Sequence, residues 1–514
     1  MVVRYRGRCM AFRATFLTVV GVTLAGHFVA LGFEIAAAAR FGTGREADAL
    51  AFALTLFVTL SAEVVSWIST LFVPLYVAAR TTSAERAPVL LRRTIAAVGI
   101  VTGAGALLLA LAAPVLVTTL APALGARGVA VLQAFAPLLF ALPMAGLFAA
   151  ALQAHGRFVA PSLRQLAWYG GALVGVLTLG AARGAVAVPL GMNVGALLFA
   201  LGLGALLYRI GALDREPFTR QAGDGGVSLG RLGALAVPVV LLSAAAAVNV
   251  TVERALAARL PEGSLAALTF GYRLLHFPLR LFVVNATAML LPSLADHAVR
   301  GDRGAVEALT SRALRITIVF AVPVAALALA LAEPLTQVLL ERGAFTAVST
   351  SMTATAIAWY APSVVAMAVA QILFRAYQAL HALWALAGTV GAGIAVNLAL
   401  MPLLTTALGL RGLALASSVS GVVLVVVMLL GLRGRAGALA DVLFARSTMA
   451  VIGAGIVAGG AAWLARGLGG DAAAPTLLAG LGVGTAVYAG ALAALAPAEA
   501  RAALAALVPA GRSA

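Results

Sequence analysis

Apolar runs of eighteen residues or more recur along this chain from one end to the other, each closed by a charged or Gly/Pro-rich break. A run of that length is what an α-helix needs to cross the roughly 30 Å hydrocarbon core of a bilayer. Splitting the runs at their breaks gives about fourteen spans. They fall near 14–39, 47–78, 94–118, 128–154, 159–182, 185–208, 232–256, 264–296, 312–339, 350–377, 382–405, 411–432, 446–466 and 473–495. Composition agrees. Of 514 residues 63% are hydrophobic and 10% charged, where a soluble domain carries about 25% charge. The longest polar stretch, 209–231, is too short to build a soluble core. The expected fold is an all-α polytopic membrane protein.

A formal charge of +17 suggests nucleic acid at first sight. All 35 basic residues are arginine, however, and most lie in short loops between apolar runs. That is a topology signal and not a phosphate-binding face, so no nucleic-acid partner is expected. The arginines gather at the N-terminus, the even-numbered loops and the C-terminus, which places both termini in the cytoplasm. The N-terminus, with four arginines in 1–13, imitates a secretory signal. Its apolar run continues to Ala39, beyond the length of a signal h-region, and reads as a first span. Two amphipathic pieces, 83–93 and 498–507, are expected on the cytoplasmic surface. Cys9 stands alone, which excludes an internal disulfide. There is no Cys/His cluster with metal-ligand spacing, no Walker loop and no nucleophile elbow. Neither a metal, a cofactor nor an enzyme activity is expected.

The chain echoes itself. "LFVPLYVAAR" and "MLLPSLADHA" place Pro74 opposite Pro292, and "RFGTGREADALAF" shadows "RLPEGSLAALTF", aligning Arg40 with Arg259 and Gly44 with Gly263. Pro143 and Pro362 match in the same way. The shared offset, about 219 residues, covers an even number of spans and indicates parallel repeats. The expected organisation is an N-lobe over 1–208, a cytoplasmic linker over 209–231 and a C-lobe over 232–432. Two further spans over 446–495 and a cytoplasmic tail over 496–514 follow.

Charges inside spans single out candidate residues, because a charge at bilayer depth costs about 2.5–3.5 kcal/mol on insertion scales. In span 8, "FGYRLLHFPLRLF" puts Arg273, His276 and Arg280 within about 60° of one another on a helix. Pro278 is expected to bend that helix, and Asn285 extends the polar face. Span 1 carries Thr23, His27 and Glu34 on one stripe; span 2 carries Asp48 at its outer end and Glu63 near its middle. Facing one another, these groups would line a substrate-binding cavity of nearly balanced charge. Simpler readings stand beside that one. Arg280 can be a structural partner of Glu63, His27 a buried hydrogen-bonded residue, and Asp48 a helix N-terminal residue. Glu253 and Arg254 read as an interfacial pair.

Three segments carry a family resemblance: "ARFGTGREADALAFAL" with "FVPLYVAAR", "YRLLHFPLRLFVVNATAMLLPSLADHAVRGD", and "LLERGAFTAVST". With the span count and order, the chain resembles the MurJ/MviN family of lipid II flippases in the MOP exporter superfamily. The resemblance implies a two-lobe carrier in the bacterial inner membrane whose spans 13–14 form a lipid-facing groove. Its substrate would be a polyprenyl-pyrophosphate-linked glycan, moved between leaflets by alternating access. Membrane lipids and cell-envelope synthesis proteins are the implied partners. Arg273 stands where the family has its span 8 arginine, and Asp48 matches a family acid. Asn397 matches a polar position of span 11 and is a weak ion-site candidate, since Met401 replaces the carboxylate that some relatives use for sodium. Other family positions differ. Span 1 offers His27 and Phe33 where arginines are expected, span 2 offers Leu60 or Ser61, and His276 replaces an acid.

Three functions stay open at this point: a flippase for lipid II or a related polysaccharide intermediate, a proton-coupled small-molecule antiporter, and a transport-inactive scaffold. His27, Glu34 and Glu63 could carry protons in the second. Lost arginines would permit the third.

Overall fold

The computed structural model describes residues 2–82, 86–213, 229–433, 439–470 and 472–507. Among these residues every regular element is helical. The chain forms two compact units, Met1–Ala266 and Ala267–Ala514.

The first unit holds α1 (Val2–Phe41), α2 (Arg45–Thr82), α3 (Arg86–Leu120), α4 (Gly125–Phe135) and α5 (Leu138–Ala154). After these come α6 (Val159–Ser162), α7 (Arg164–Arg183), α8 (Ala187–Arg209) and α9 (Leu229–Ala257). Helix α2 packs against α3, α4, α5 and α9, while α1 lies along α7, and α7 pairs with α8. That last pair shows how sequence sets the approach. Gly171 and Gly175 meet Gly191 and Gly195, and a Cβ on Gly191 would lie 2.1 Å from the Gly171 carbonyl oxygen. Small residues four apart bring two backbones together where lipid offers no hydrophobic drive. The apolar centre of this unit joins Phe72, Tyr76 and Leu91 to Met144, Leu147 and Leu203.

Helix α10 (Ser264–Val299) carries the unit boundary in its first turn. The second unit continues with α11 (Arg303–Ala330), α12 (Ala332–Leu340), α13 (Ala347–Ala379), α14 (Leu383–Leu408) and α15 (Leu410–Leu432). It closes with α16 (Leu439–Phe444), α17 (Arg446–Ala465), α18 (Ala473–Leu495) and α19 (Pro497–Leu507). Its core joins Leu314, Ile318 and Val322 of α11 to Leu373 and Tyr377 of α13, Met428 and Leu429 of α15, and Tyr488 of α18. Pro323 has no N–H, so the carbonyl of Val319 one turn earlier loses its helical partner. The Tyr488 hydroxyl donates to that oxygen at 2.7 Å. A backbone group that lipid could not satisfy is thus satisfied by a neighbouring helix.

Every expected span falls on helix. Ten helical stretches among the described residues are long and apolar enough to cross a membrane, and one of them, 159–209, contains both α7 and α8. The chain is a multi-pass membrane protein. Two expected spans are each split in two. The run 128–154 divides into α4 and α5 at Ala136–Pro137, and 312–339 divides into α11 and α12 at Leu331. The piece 83–93 needs correction. From Arg86 onward it is the beginning of α3 and continues without a break to Leu120, while 83–85 lie outside the described residues. Helix α10 is continuous across Pro278.

Candidate functional site

Helix α10 presents two different sides within one turn. Gly271 is pressed against α13, where a Cβ would lie 3.0 Å from the Ala356 methyl and 3.3 Å from the Thr353 carbonyl oxygen. Arg273, two positions on, points about 160° away from that contact and is partly buried. Tyr272 lies between the two sides, edge-on to Tyr360 of α13 with ring centroids 5.7 Å apart. Its other flank is covered by the His276 ring, stacked at 4.0 Å. The His276 Nδ1–H donates to the Tyr272 carbonyl at 2.9 Å. Because a carbonyl only accepts, Nδ1 carries the proton and Nε2 is the acceptor nitrogen. His276 is 6% exposed, so it belongs to the packed aromatic frame beside Arg273 more than to an open surface.

The stripe on α1 uses the same device. His27 Nδ1–H donates to the Thr23 carbonyl at 2.7 Å, and the Thr23 hydroxyl donates to Val19 O at 2.8 Å. Glu34 follows two turns later and is buried. Phe33, at a position where the resemblance expects an arginine, is 0% exposed and packs on Tyr169 of α7 with ring centroids 5.9 Å apart. Ser61 of α2 is buried as well, with no hydrogen bond to its hydroxyl among the described residues. These two positions are filled by the interior of the first unit.

Asp48 has a different setting. Its carboxylate accepts from the backbone N–H of Gly263 at 2.7 Å and of Ala266 at 2.8 Å, so it caps the N-terminus of α10. Glu262, just before α10, returns the arrangement. It accepts from the first N–H of α2, on Arg45, at 3.1 Å and from the Arg45 guanidinium at 3.0 Å. The two turns that meet here are the repeat-related segments around Gly44 and Gly263. Gly263 adopts φ +87, and a Cβ there would lie 2.1 Å from the Thr43 carbonyl oxygen. Only glycine fits on both counts. A third acid nearby, Glu46, accepts from the Ala185 N–H at 3.0 Å in the short 3-10 turn Gly184–Val186 between α7 and α8. The repeat offset pointed to the turn through its glycines; the capping acids Glu46 and Glu262 carried no separate signal in the sequence.

The structure therefore divides the sequence-derived set. Arg273 and His276 share the N-terminal half of α10, His27 and Glu34 share α1, and Asp48 belongs to the first turn of α2. The side chains of Glu63, Arg280 and Asn285 lie outside the described residues, and so does the Arg280–Glu63 pairing. Asn397 is buried in α14, with Met401 fully buried one turn later. No group of three or more His, Cys, Asp or Glu among the described residues could hold a metal ion. Glu253 and Arg254 do pair, at 3.9 Å, with Arg254 buried.

The helical arrangement is that of MOP-superfamily transporters. A solved structure of the lipid II flippase MurJ in an inward closed conformation superposes with TM-score 0.77 at 18% identity, covering 93% of this chain and 98% of that one. An inward-facing multidrug resistance MATE transporter of the same superfamily gives 0.65 at 15% identity, with 82% and 99% covered. Residues 37–475 match the family model described as lipid II flippase MurJ, and the chain belongs to that family. Similar curated relatives include the probable lipid II flippase MurJ of Bdellovibrio bacteriovorus, 31% identical over 173 residues (34% of this chain, 33% of the relative). That of Treponema pallidum is 27% identical over 242 residues (46% and 45%). The chain thus aligns with a third to just under half of the length of these relatives.

Proposed function

We propose that this protein moves a polyprenyl-pyrophosphate-linked glycan, lipid II or a related envelope polysaccharide intermediate, across the bacterial inner membrane by alternating access. Family membership supports the substrate class, and Arg273 is the observation that carries the chemistry. A pyrophosphate cannot cross hydrocarbon bare, whereas its polyprenyl tail can remain in lipid. A guanidinium meets such a group with charge-assisted, bidentate hydrogen bonds that are strong where water is scarce. Arg273 lies in the first third of α10, one position after Tyr272 and three before His276, turned away from the α13 contact. The test is replacement of a depleted lipid II flippase in living cells. The intact chain is expected to restore growth and Arg273→Ala to fail while remaining inserted. Failure of both, with the protein present, would favour the scaffold reading.

One observation favours a second reading. His27 and His276 each give Nδ1–H to their own helix, which leaves Nε2 as the acceptor nitrogen on the same helices as the other candidate groups. Proton-coupled efflux of a small cation, insensitive to lipid-linked precursors, would select that reading over the first.

A further inference from the structure

At the end of the second unit where α11 begins, a cavity of about 290 Å³ opens between α11 and the terminal helix α19. Ser311, Arg312 and Arg315 reach it from one face of α11, and Glu499 and Ala502 form the α19 wall. Glu499 is 6% exposed and accepts from the Arg315 guanidinium at 3.3 Å. That ion pair holds α19 in place and occupies part of the Arg315 fork. Arg312, one position after Ser311, is exposed and makes no hydrogen bond or ion pair among the described residues. Two guanidinium groups against one carboxylate leave the cavity with one net positive charge and most of its N–H donors unused.

Further along α11 the lining turns apolar. Ile316 lines the cavity directly after Arg315, and from there α11 has no charged residue as far as Ala330. A cationic end joined to an apolar side, at the depth where a span begins, has the polarity of an amphiphile. We propose that this cavity binds the phosphodiester headgroup of an anionic phospholipid, with Arg312, Arg315 and Ser311 on the phosphate and the glycerol and acyl portion along Ile316. Basic pockets between membrane helices recognise anionic lipid headgroups through this combination. Glu499 acts as an internal competitor: lipid phosphate and Glu499 share Arg315, so occupancy of the cavity is linked to the seating of α19 on α11. The site is separate from Arg273 and from the transported substrate.

The test is native mass spectrometry of the full chain in detergent, titrated with phosphatidylglycerol or phosphatidylcholine. The wild type is expected to retain one phosphatidylglycerol in preference to phosphatidylcholine. Replacing both arginines (Arg312→Ala with Arg315→Ala) should weaken that retention by about tenfold or more, with the charge-conserving Arg312→Lys in between. Glu499→Gln should tighten it by freeing Arg315. Millimolar inorganic phosphate should not displace the lipid; displacement would mark a free-phosphate site and overturn the lipid assignment. Equal retention by the wild type and the double-arginine variant, at unchanged thermal stability, would overturn the site itself.

Discussion

The two units use their intramembrane polar residues differently. In the first, the acids beside the α1–α2 turn are consumed by architecture. Asp48 caps α10, Glu46 holds the turn between α7 and α8, and Phe33 and Ser61 are packed inside. In the second, helical phase turns Arg273 to the side of α10 away from the Gly271–α13 contact, where it is partly buried. A polar residue in a span can thus be a fastener or a reagent. Asp48 is the fastener: its carboxylate is spent on backbone groups that would otherwise be orphaned.

The strongest way to break this contrast is Phe33→Arg. If the first unit has closed that position, the new guanidinium is buried without a carboxylate arranged for it, and the loss of stability should be about 3–5 kcal/mol. Thermal unfolding in detergent reads it, and a stable variant with increased transport would show an open position instead. Asp48→Ala comes next. It leaves two buried N–H groups at the α10 N-terminus unsatisfied and should cost about 2–4 kcal/mol, with Asp48→Asn costing less because one carbonyl acceptor remains. If either variant kept full stability and lost only transport, Asp48 would be a reagent after all.

The smallest expected effect is a pH dependence at the other end of the first unit. There the Tyr76 hydroxyl lies 3.0 Å from Nε2 of His155, and Arg80 donates to the Ala154 carbonyl. Burial, with Arg80 and Arg157 adding to it, holds the His155 pKa below its ordinary 6.5. The folded state therefore binds fewer protons than the unfolded chain in this range. Its contribution is fully present above about pH 6.5 and is lost as pH falls through the lowered value. The unfolding midpoint should drop on mild acidification and do so less in His155→Gln. An equal drop in both would remove His155 as the cause.

Sequence reading located every long helix because hydrophobic run length is a direct consequence of bilayer thickness. It missed the breaks at Pro137 and Leu331, since both halves of each run are equally apolar. It also placed 83–93 apart from α3, although a charged first turn continues into an apolar helix without any change of backbone. For the candidate site, helical phase puts Arg273 and His276 within about 60° of each other, and both lie on α10. Phase says nothing about what lies opposite, and so it does not announce that Asp48 caps the N-terminus of α10. Its partners are backbone N–H groups more than two hundred residues away, which no side-chain pattern announces. The same limit hid Glu262 and Tyr360.

The comparison rests finally on Arg273, and direct binding of lipid II by the purified chain tests it most closely. Wild type, Arg273→Ala and Asp48→Asn should be measured side by side for affinity and for unfolding temperature. The account predicts that Arg273→Ala loses about tenfold or more in affinity at an unchanged unfolding temperature, while Asp48→Asn keeps its affinity and unfolds earlier. Unchanged affinity in a stable Arg273→Ala protein would contradict it.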